Sequence, residues 1–84
     1  MHIALTNEGK KGYAKLNQPI LGRINDAIEE LKKDSPVGDI IPLKGHPGSY
    51  RLRVGAYRIL YYEENETSYI FKIAPRGGAY RRLP

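Results

Sequence analysis

The sequence predicts an α+β domain in which two helices cover one face of a mostly antiparallel sheet. One observation is a pair of alternating runs, residues 50–54 and 57–62, joined by Gly55 and Ala56 in the pattern of a tight β-hairpin. A second is the recurrence of apolar residues every three or four positions over 20–31, which is typical of a helix with one apolar stripe. A third is the order of elements, namely strand, helix, helix and three strands, which favours helices packed on one side of the sheet.

The chain length and composition limit the function classes. The 84 residues predict a single domain over 1–84 with one small core. The absence of cysteine excludes disulfides, thiolate metal sites and a cysteine nucleophile. No stretch approaches the roughly 20 apolar residues of a membrane span, and the N-terminus lacks the apolar core of a signal peptide. We therefore expect a soluble, cytoplasmic protein without a membrane partner.

The net charge of +5 lies entirely in the second half of the chain. Residues 1–42 hold six Lys/Arg and six Asp/Glu, whereas residues 43–84 hold eight Lys/Arg, six of them Arg, and three Asp/Glu. Arginine binds phosphate bidentately and stacks on bases, and tyrosine, which occurs seven times, offers further stacking surfaces. Nucleic acid is thus the leading partner class, and the alternative is a basic surface that serves only solubility.

The first half of the chain predicts one strand and a helical hairpin. Residues 2–5 suit a strand, and Thr6 or Asn7 can cap a helix over 8–16. Two glycines weaken this helix by up to ~1 kcal/mol each relative to Ala, so its formation must depend on packing. Pro19 fits the first turn of a second helix, which is predicted to end near Lys33.

The second half predicts three strands after a long connection. Residues 35–49 contain Pro and Gly too often for a regular element, so we expect an irregular segment there. The hairpin follows, then an acidic turn at 63–67 and an alternating strand over 69–74 that Pro75 ends. Residues 76–82 form a basic tail containing two glycines. The spacing does not decide which face of the sheet carries Lys72.

The hairpin sequence predicts one basic face and one apolar face. Gly55 can adopt the positive φ of the first position of a type II′ turn. The expected cross-strand pairs are Val54–Tyr57, Arg53–Arg58, Leu52–Ile59 and Arg51–Leu60. The expected basic face contains Arg51, Arg53, Arg58, Leu60 and Tyr62. Like charges directly opposite each other destabilise a sheet, and such violations concentrate at functional sites, so an anion is expected beside Arg53 and Arg58. The alternative is an ordinary half-solvated strand.

Two further candidates lie outside the hairpin. If the tail folds back, Arg76 could reach a phosphate or a leaving oxygen, and Tyr80 could stack on a base or share in proton transfer. The alternative for both is a frayed basic terminus. His46, in the loop before the hairpin, can titrate near neutrality, although a single loop histidine commonly has no catalytic role. No His, Asp or Glu cluster has metal-ligand spacing, and no P-loop or glycine-rich dinucleotide fingerprint occurs, so neither a metal nor another cofactor is expected.

The segment 43–61, LKGHPGSYRLRVGAYRILY, together with Arg76 and Tyr80, resembles the RelE/ParE superfamily of bacterial and archaeal toxins. The resemblance covers nearly the whole chain and is most specific in that segment. It implies a RelE-like β-α-α-β-β-β fold, with a mostly antiparallel sheet and a helical hairpin packed on one face. It also implies a toxin of a type II toxin-antitoxin system that is bound by a cognate antitoxin in a hetero-oligomer.

The RelE-like branch implies a ribosome-dependent mRNA endonuclease that cuts in the A site without a metal. Its expected chemistry is attack of a ribose 2′-hydroxyl on the adjacent phosphate, which gives a 2′,3′-cyclic phosphate. By the resemblance, Arg58 stabilises the scissile phosphate, Arg76 assists the leaving 5′ oxygen, and Tyr80 stacks on or orients the nucleotide.

The remaining basic positions complete the expected RNA surface. The residues expected to contact RNA phosphates are Arg51, Arg53, Lys44 and Arg81. Arg51 and Arg53 stand where RelE-like enzymes can carry lysines, and arginine is a poor base because it is effectively always protonated. The general base is therefore open among Lys44, His46, Tyr80 and the ribosome itself. The alternative functions are a ParE-like inhibitor of DNA gyrase without nuclease activity and a non-catalytic basic nucleic-acid-binding module.

Overall fold

The computed structural model describes residues 1–79, in which a five-stranded sheet has the strand order β1-β5-β4-β3-β2. The elements are β1 (His2–Leu5), α1 (Asn7–Ala14), α2 (Ile20–Leu31), β2 (Asp39–Pro42), β3 (Ser49–Val54), β4 (Tyr57–Glu64), β5 (Thr67–Pro75) and α3 (Arg76–Ala79). Strand β1 pairs with β5 in parallel, and the other three neighbouring pairs are antiparallel. The predicted α+β class and mostly antiparallel sheet are therefore confirmed.

Two elements differ from the sequence-based expectation. Strand β2 lies within the segment 35–49 that was predicted to be irregular, because Asp39–Pro42 finds backbone partners on β3. Pro42 is tolerated there because β2 is an edge strand. The tail, expected to be a simple basic terminus, begins with the short helix α3, which packs on β4 and β5. The described chain thus has two more elements than the predicted order.

Both predicted helices pack on the same face of the sheet. The buried core comprises Leu16, Ile24, Leu31, Leu52, Val54, Ile59, Tyr61, Ile70 and Ile73. Helix α1 begins at the predicted cap, where the Thr6 hydroxyl accepts the Gly9 N–H at 3.2 Å. A Cβ on Gly9 would lie 2.3 Å from the Ile70 carbonyl oxygen, and one on Gly12 would lie 2.3 Å from that of Ile73. The glycines that weaken α1 as an isolated helix therefore let it lie directly on the backbone of β5.

A register shift between Leu60 and Tyr61 decides on which side of the sheet the side chains of β5 lie. Leu60 pairs with Lys72, whereas Tyr61 pairs with Ile70, so β5 contributes one extra residue at this β-bulge. Ile70 and Ile73 are both buried although they are three residues apart, which strict alternation would not allow. The bulge consequently places Lys72 on the same face as Leu60, which is the basic face of the hairpin.

None of the helices in residues 1–79 has the length and apolar character needed to span a membrane.

The buried Tyr61 makes the stability of the fold depend on pH in the alkaline range. The residue is 3% exposed, and the centroid of its ring lies 5.5 Å from that of the Tyr50 ring. Burial, with a smaller contribution from the charge of Glu63, raises the pKa of Tyr61 to about 12. The folded state disfavours the phenolate. The contribution of Tyr61 to the free energy of unfolding is therefore complete below pH ~10 and is lost as pH rises towards 12.

We expect wild-type protein to lose on the order of 1 kcal/mol of unfolding free energy per pH unit above pH ~10 through Tyr61. Tyr61→Phe should remove this part of the pH dependence, because phenylalanine has no ionisable hydroxyl, whereas the contributions of the other six tyrosines remain. Urea denaturation of both proteins at several pH values between 8 and ~11.5 measures the difference. Parallel stability curves over that range would contradict the assignment.

Candidate functional site

The β3–β4 turn has the geometry that its sequence predicts. Gly55 has φ +59°, and Ala56 is not among the residues with positive φ, as a type II′ turn requires. The four predicted cross-strand pairs, from Val54–Tyr57 to Arg51–Leu60, are all present. The turn and the register predicted from the local sequence are therefore confirmed.

Three rows of paired residues build the surface that we call the arginine face. Residues paired on neighbouring strands point to the same side of a sheet. The first row is Asp39, Arg53, Arg58 and Ala74; the second is Ile41, Arg51, Leu60 and Lys72; the third is Ser49, Tyr62 and Tyr69. The Tyr62 and Tyr69 rings stack with centroids 5.0 Å apart. The arginine face thus combines four cationic positions with an aromatic pair at one end.

Arg58 is held rigidly at the centre of the first row. Arg58 is 7% exposed, and its Nη1 donates to the carbonyl oxygens of Gly55 at 3.1 Å and Tyr57 at 3.0 Å. Its Nε is buried without a hydrogen-bond partner among the described residues. Arg58 is therefore not the half-solvated strand arginine of the alternative interpretation. Leu60, its neighbour on the same face, is buried as well.

Arg76 is brought to the same turn through its backbone. Its N–H donates to the Ala56 carbonyl oxygen at 2.9 Å, which attaches the start of α3 to the β3–β4 turn. The residue itself is exposed. The carbonyls of all three residues 55–57 consequently accept a hydrogen bond from either Arg58 or Arg76. The structure thus brings together two residues that are 18 positions apart in the sequence.

Asp39 supplies the counter-charge for the outer arginines. Its Oδ1 lies 2.8 Å from Arg51 Nη2, and its Oδ2 lies 2.9 Å from Arg53 Nε. The opposed arginines predicted a neighbouring anion, and the carboxylate of Asp39 supplies part of that negative charge from within the fold. Sequence reasoning missed this contact because β2 itself was not predicted. By contrast, no ion pair within residues 1–79 involves Arg58 or Arg76.

We expect Asp39→Asn to elute from a heparin column at higher salt than wild type, because it releases two guanidinium groups from one carboxylate. The fold should persist, because the Arg53–Asp39 pair is exposed and such pairs contribute about 1 kcal/mol or less, and because the asparagine amide oxygen can still accept a hydrogen bond from Arg51, whose side chain is only 13% exposed. Glu29→Gln is the control: it changes the net charge equally but on α2, where Glu29 pairs with Lys32. Equal shifts for the two variants would show that net charge alone, and not the Asp39 pairing, governs binding.

The other predicted site residues are not gathered around Arg58. Lys44 and His46 lie in the loop before β3, beyond Ser49, whereas Arg58 pairs with Arg53 near the opposite end of that strand. Four residues of strand correspond to roughly 13 Å. The side chain for which sequence reasoning could not choose a face, Lys72, lies instead on the arginine face. Tyr80 and Arg81 lie outside the described residues.

The described residues offer few other chemical groups. Residues 1–79 contain no group of three His, Cys, Asp or Glu side chains able to hold a metal ion. A groove of about 410 Å³ runs between α1 and the end of β5, and its lining includes Lys11, Lys15, Tyr57 and Lys72. It adjoins the arginine face at Lys72. The cationic surface therefore continues around the edge of the sheet.

Comparison with known proteins gives a family match and several similar folds. Residues 4–80 match the family model described as the ParE toxin of the type II toxin-antitoxin system parDE. A search of curated protein sequences found no match. A structure of the RelB-RelE antitoxin-toxin complex from Methanococcus jannaschii is similar with a TM-score of 0.80 and 27% identity, over 96% of this chain and 99% of that chain.

Two more solved structures support the fold. A structure of the archaeal RelE-RelB complex from Pyrococcus horikoshii OT3 has a TM-score of 0.72 and 26% identity, over 93% of this chain and 97% of that chain. The isolated E. coli RelE toxin has a TM-score of 0.75 but 14% identity, over 88% of this chain and 82% of that chain, which speaks for the fold alone. The predicted RelE-like architecture is thereby confirmed.

Proposed function

The chain belongs to the ParE toxin family of type II toxin-antitoxin systems, within the RelE/ParE superfamily, and from this premise we propose that it is a RelE-like, ribosome-dependent mRNA endonuclease. The similarity to the two archaeal RelE-RelB structures favours the RelE-like branch. The observation that carries the proposal is the rigid guanidinium of Arg58, buried and without a carboxylate partner in residues 1–79, beside the backbone-anchored Arg76.

The reaction needs positive charge at a fixed place. In the proposed step the ribose 2′-oxygen forms a bond to the adjacent phosphorus, and the bond from phosphorus to the 5′-oxygen breaks. The products are a 2′,3′-cyclic phosphate and a 5′-hydroxyl, so the proton lost from the 2′-hydroxyl is balanced by one gained at the leaving oxygen. Arg58 would stabilise the charge that grows on the phosphate oxygens, and its rigidity means little reorganisation during reaction.

Arg76 and the outer arginines would take the supporting roles. Because Arg76 is exposed and its backbone is fixed at the turn, its side chain is suited to approach the leaving 5′-oxygen. Arg51 and Arg53 would bind flanking phosphates, in competition with Asp39. Lys44 and Arg81 stay predicted phosphate contacts, and Tyr80 stays the predicted stacking residue.

The structure changes the set of residues that we consider as the general base. Lys44 and His46 lie at the far end of the hairpin, which disfavours both for proton transfer at a phosphate bound by Arg58. Lys72 lies two residues along β5 from Ala74, the partner of Arg58, and joins Tyr80 and the ribosome as a candidate base. The reaction as proposed uses no metal ion.

A cognate antitoxin is the expected protein partner. The similar archaeal structures are antitoxin-toxin complexes, which supports a hetero-oligomer for this chain as well. The antitoxin segment that covers the arginine face should be acidic, or the antitoxin should displace α3, which positions Arg76. The ribosome and mRNA are the other proposed partners, so we propose that the protein acts in the cytoplasm.

Primer extension on an mRNA translated by purified ribosomes tests the proposal. Wild-type protein should produce discrete cuts within codons at the A site, and the cuts should depend on translation. Addition of the protein to the same mRNA without ribosomes is the control and should give no such cuts. Intact mRNA at protein concentrations that still arrest growth would overturn the nuclease proposal.

The second candidate function is inhibition of DNA gyrase. The family model that matches is the ParE toxin, and ParE-like members are the non-nuclease alternative implied by the resemblance. A supercoiling assay with purified gyrase distinguishes the two: inhibition together with intact mRNA would favour this candidate. Both assays could be negative while the protein still binds RNA with an affinity that falls as the salt concentration rises. That result would favour a non-catalytic nucleic-acid-binding module.

A further inference from the structure

Arg23 brings a third guanidinium to the turn that holds Arg58 and Arg76. It lies in the first half of α2, on the layer of helices, yet its side chain reaches Gly55. A Cβ built on Gly55 would lie 2.8 Å from Arg23 Nη1, 3.1 Å from Nη2 and 3.2 Å from Cζ. The guanidinium therefore lies directly against Gly55, on the side where any other residue would place its Cβ.

Two guanidinium groups contact the same residue in different ways. Arg23 contacts Gly55 on its Cβ side, whereas Arg58 Nη1 donates to the Gly55 carbonyl oxygen at 3.1 Å. By standard backbone dimensions the two groups are separated by no more than about 10 Å. One or two nucleotides of an extended single strand cover such a distance. The two cations can therefore contact neighbouring phosphates of one strand.

The charges around residues 55–57 are not neutralised within the described fold. None of the ion pairs in residues 1–79 involves Arg23, Arg58 or Arg76. The cations that do pair with carboxylates there are Lys11, Lys32, Lys33, Arg51 and Arg53. Arg23 is exposed, and its side chain makes no hydrogen bond to another described residue. Its donors thus face solvent beside a rigid turn.

We propose that Arg23 binds the RNA phosphate that neighbours the one held by Arg58, so that the strand crosses the β3–β4 turn from the sheet towards α2. This inference rests on the proposed endonuclease function and adds to it a contact from the helical layer. The contact of Arg23 with Gly55 is a packing contact without a hydrogen bond to the turn. The described turn carbonyls instead accept from Arg58 and from the Arg76 N–H.

The test is the salt dependence of RNA binding by the full chain. Fluorescence anisotropy would follow a labelled single-stranded RNA of roughly 12 nucleotides whose 2′-hydroxyls are methylated to prevent cleavage. Arg23→Gln should weaken binding roughly tenfold at low salt and reduce the slope of log affinity against log salt by about 0.7. Arg23→Lys should restore most of the slope because it restores the charge.

Lys33→Gln is the matched control. It removes the same charge just beyond the C-terminal end of α2, roughly 15 Å along the helix axis from Arg23, where Lys33 pairs with Glu30. It should leave the slope unchanged. Thermal melts of both variants report any structural role, which would lower Tm for Arg23→Gln without changing the slope.

Each outcome decides the inference. If Arg58→Gln reduces the slope and Arg23→Gln does not, the Arg23 contact is overturned while the proposed endonuclease stands. If wild-type protein shows no salt-dependent RNA binding, the Arg23 contact is likewise overturned, and primer extension decides the endonuclease separately. A reduced slope in Arg23→Gln with unchanged Tm, and restoration by lysine, supports the contact.

Discussion

Arg58→Ala is expected to lower ribosome-dependent mRNA cleavage by roughly 10²- to 10³-fold, the usual effect of removing one preorganised donor from a transition state. The same change removes the two hydrogen bonds that the Arg58 side chain donates to the Gly55 and Tyr57 carbonyls. Arg58→Ala is therefore expected to lower stability as well, by about 1–3 kcal/mol. Primer extension measures the first effect, and a thermal or urea melt of the same preparation measures the second.

Two further variants separate chemistry from folding at this position. Arg58→Lys keeps a cation and some donors, so it should retain more stability than Arg58→Ala while still losing most of the cleavage, because lysine lacks the planar fork. Arg53 lies directly opposite Arg58, is exposed and pairs with Asp39, and Arg53→Ala removes it. It should reduce cleavage only a few-fold. Equal losses for Arg53→Ala and Arg58→Ala would show that general positive charge, and not a fixed guanidinium, supports the reaction.

Gly12→Ala is expected to destabilise the fold by about 3 kcal/mol or more, at the upper end of overpacking effects. The added Cβ would lie 2.3 Å from the Ile73 carbonyl oxygen, which is backbone and cannot rotate away. Helix α1 would have to move off β5, and the contacts that close the edge of the core would loosen. For a domain of this size Tm should fall by roughly 15 °C, which a thermal melt followed by circular dichroism measures.

Gly77→Ala is the matched control for this substitution. A Cβ on Gly77 would meet no atom within 4 Å, and the residue is exposed in α3. Alanine there should be neutral or stabilise by up to ~1 kcal/mol through helix propensity. A Gly12→Ala protein as stable as wild type would mean that α1 does not lie on the backbone of β5 as described.

The two experiments together connect fold to function. If Gly12→Ala unfolds the protein, loss of its cleavage activity says nothing about chemistry, whereas Arg58→Lys, which is expected to retain more stability than Arg58→Ala, tests the proposed role of the guanidinium. The position of Lys72 depends on the same packing, because the bulge that turns it to the arginine face also turns Ile70 and Ile73 into the core beneath α1.

The sequence by itself determined the elements that depend on local rules. The period of three and four predicted α2, and alternation with a glycine in a two-residue spacer predicted the β3–β4 hairpin, its turn and its register. The position of Arg58 beside Arg53 followed from that register. These features depend on residues within about ten positions of one another, so the local pattern contains the information.

Only the tertiary structure decided the features that depend on distant residues. Strand β2 forms because β3 offers an unpaired edge, and it brings Asp39 to Arg51 and Arg53. The bulge in β5 satisfies the core on one face and thereby assigns Lys72 to the other. The Arg76 N–H joins the turn that Arg58 also contacts by donating to the Ala56 carbonyl, and Arg23 reaches Gly55 from another layer. Each of these contacts joins segments that local propensity cannot relate, since its free energy arises only when the sheet and helices are assembled.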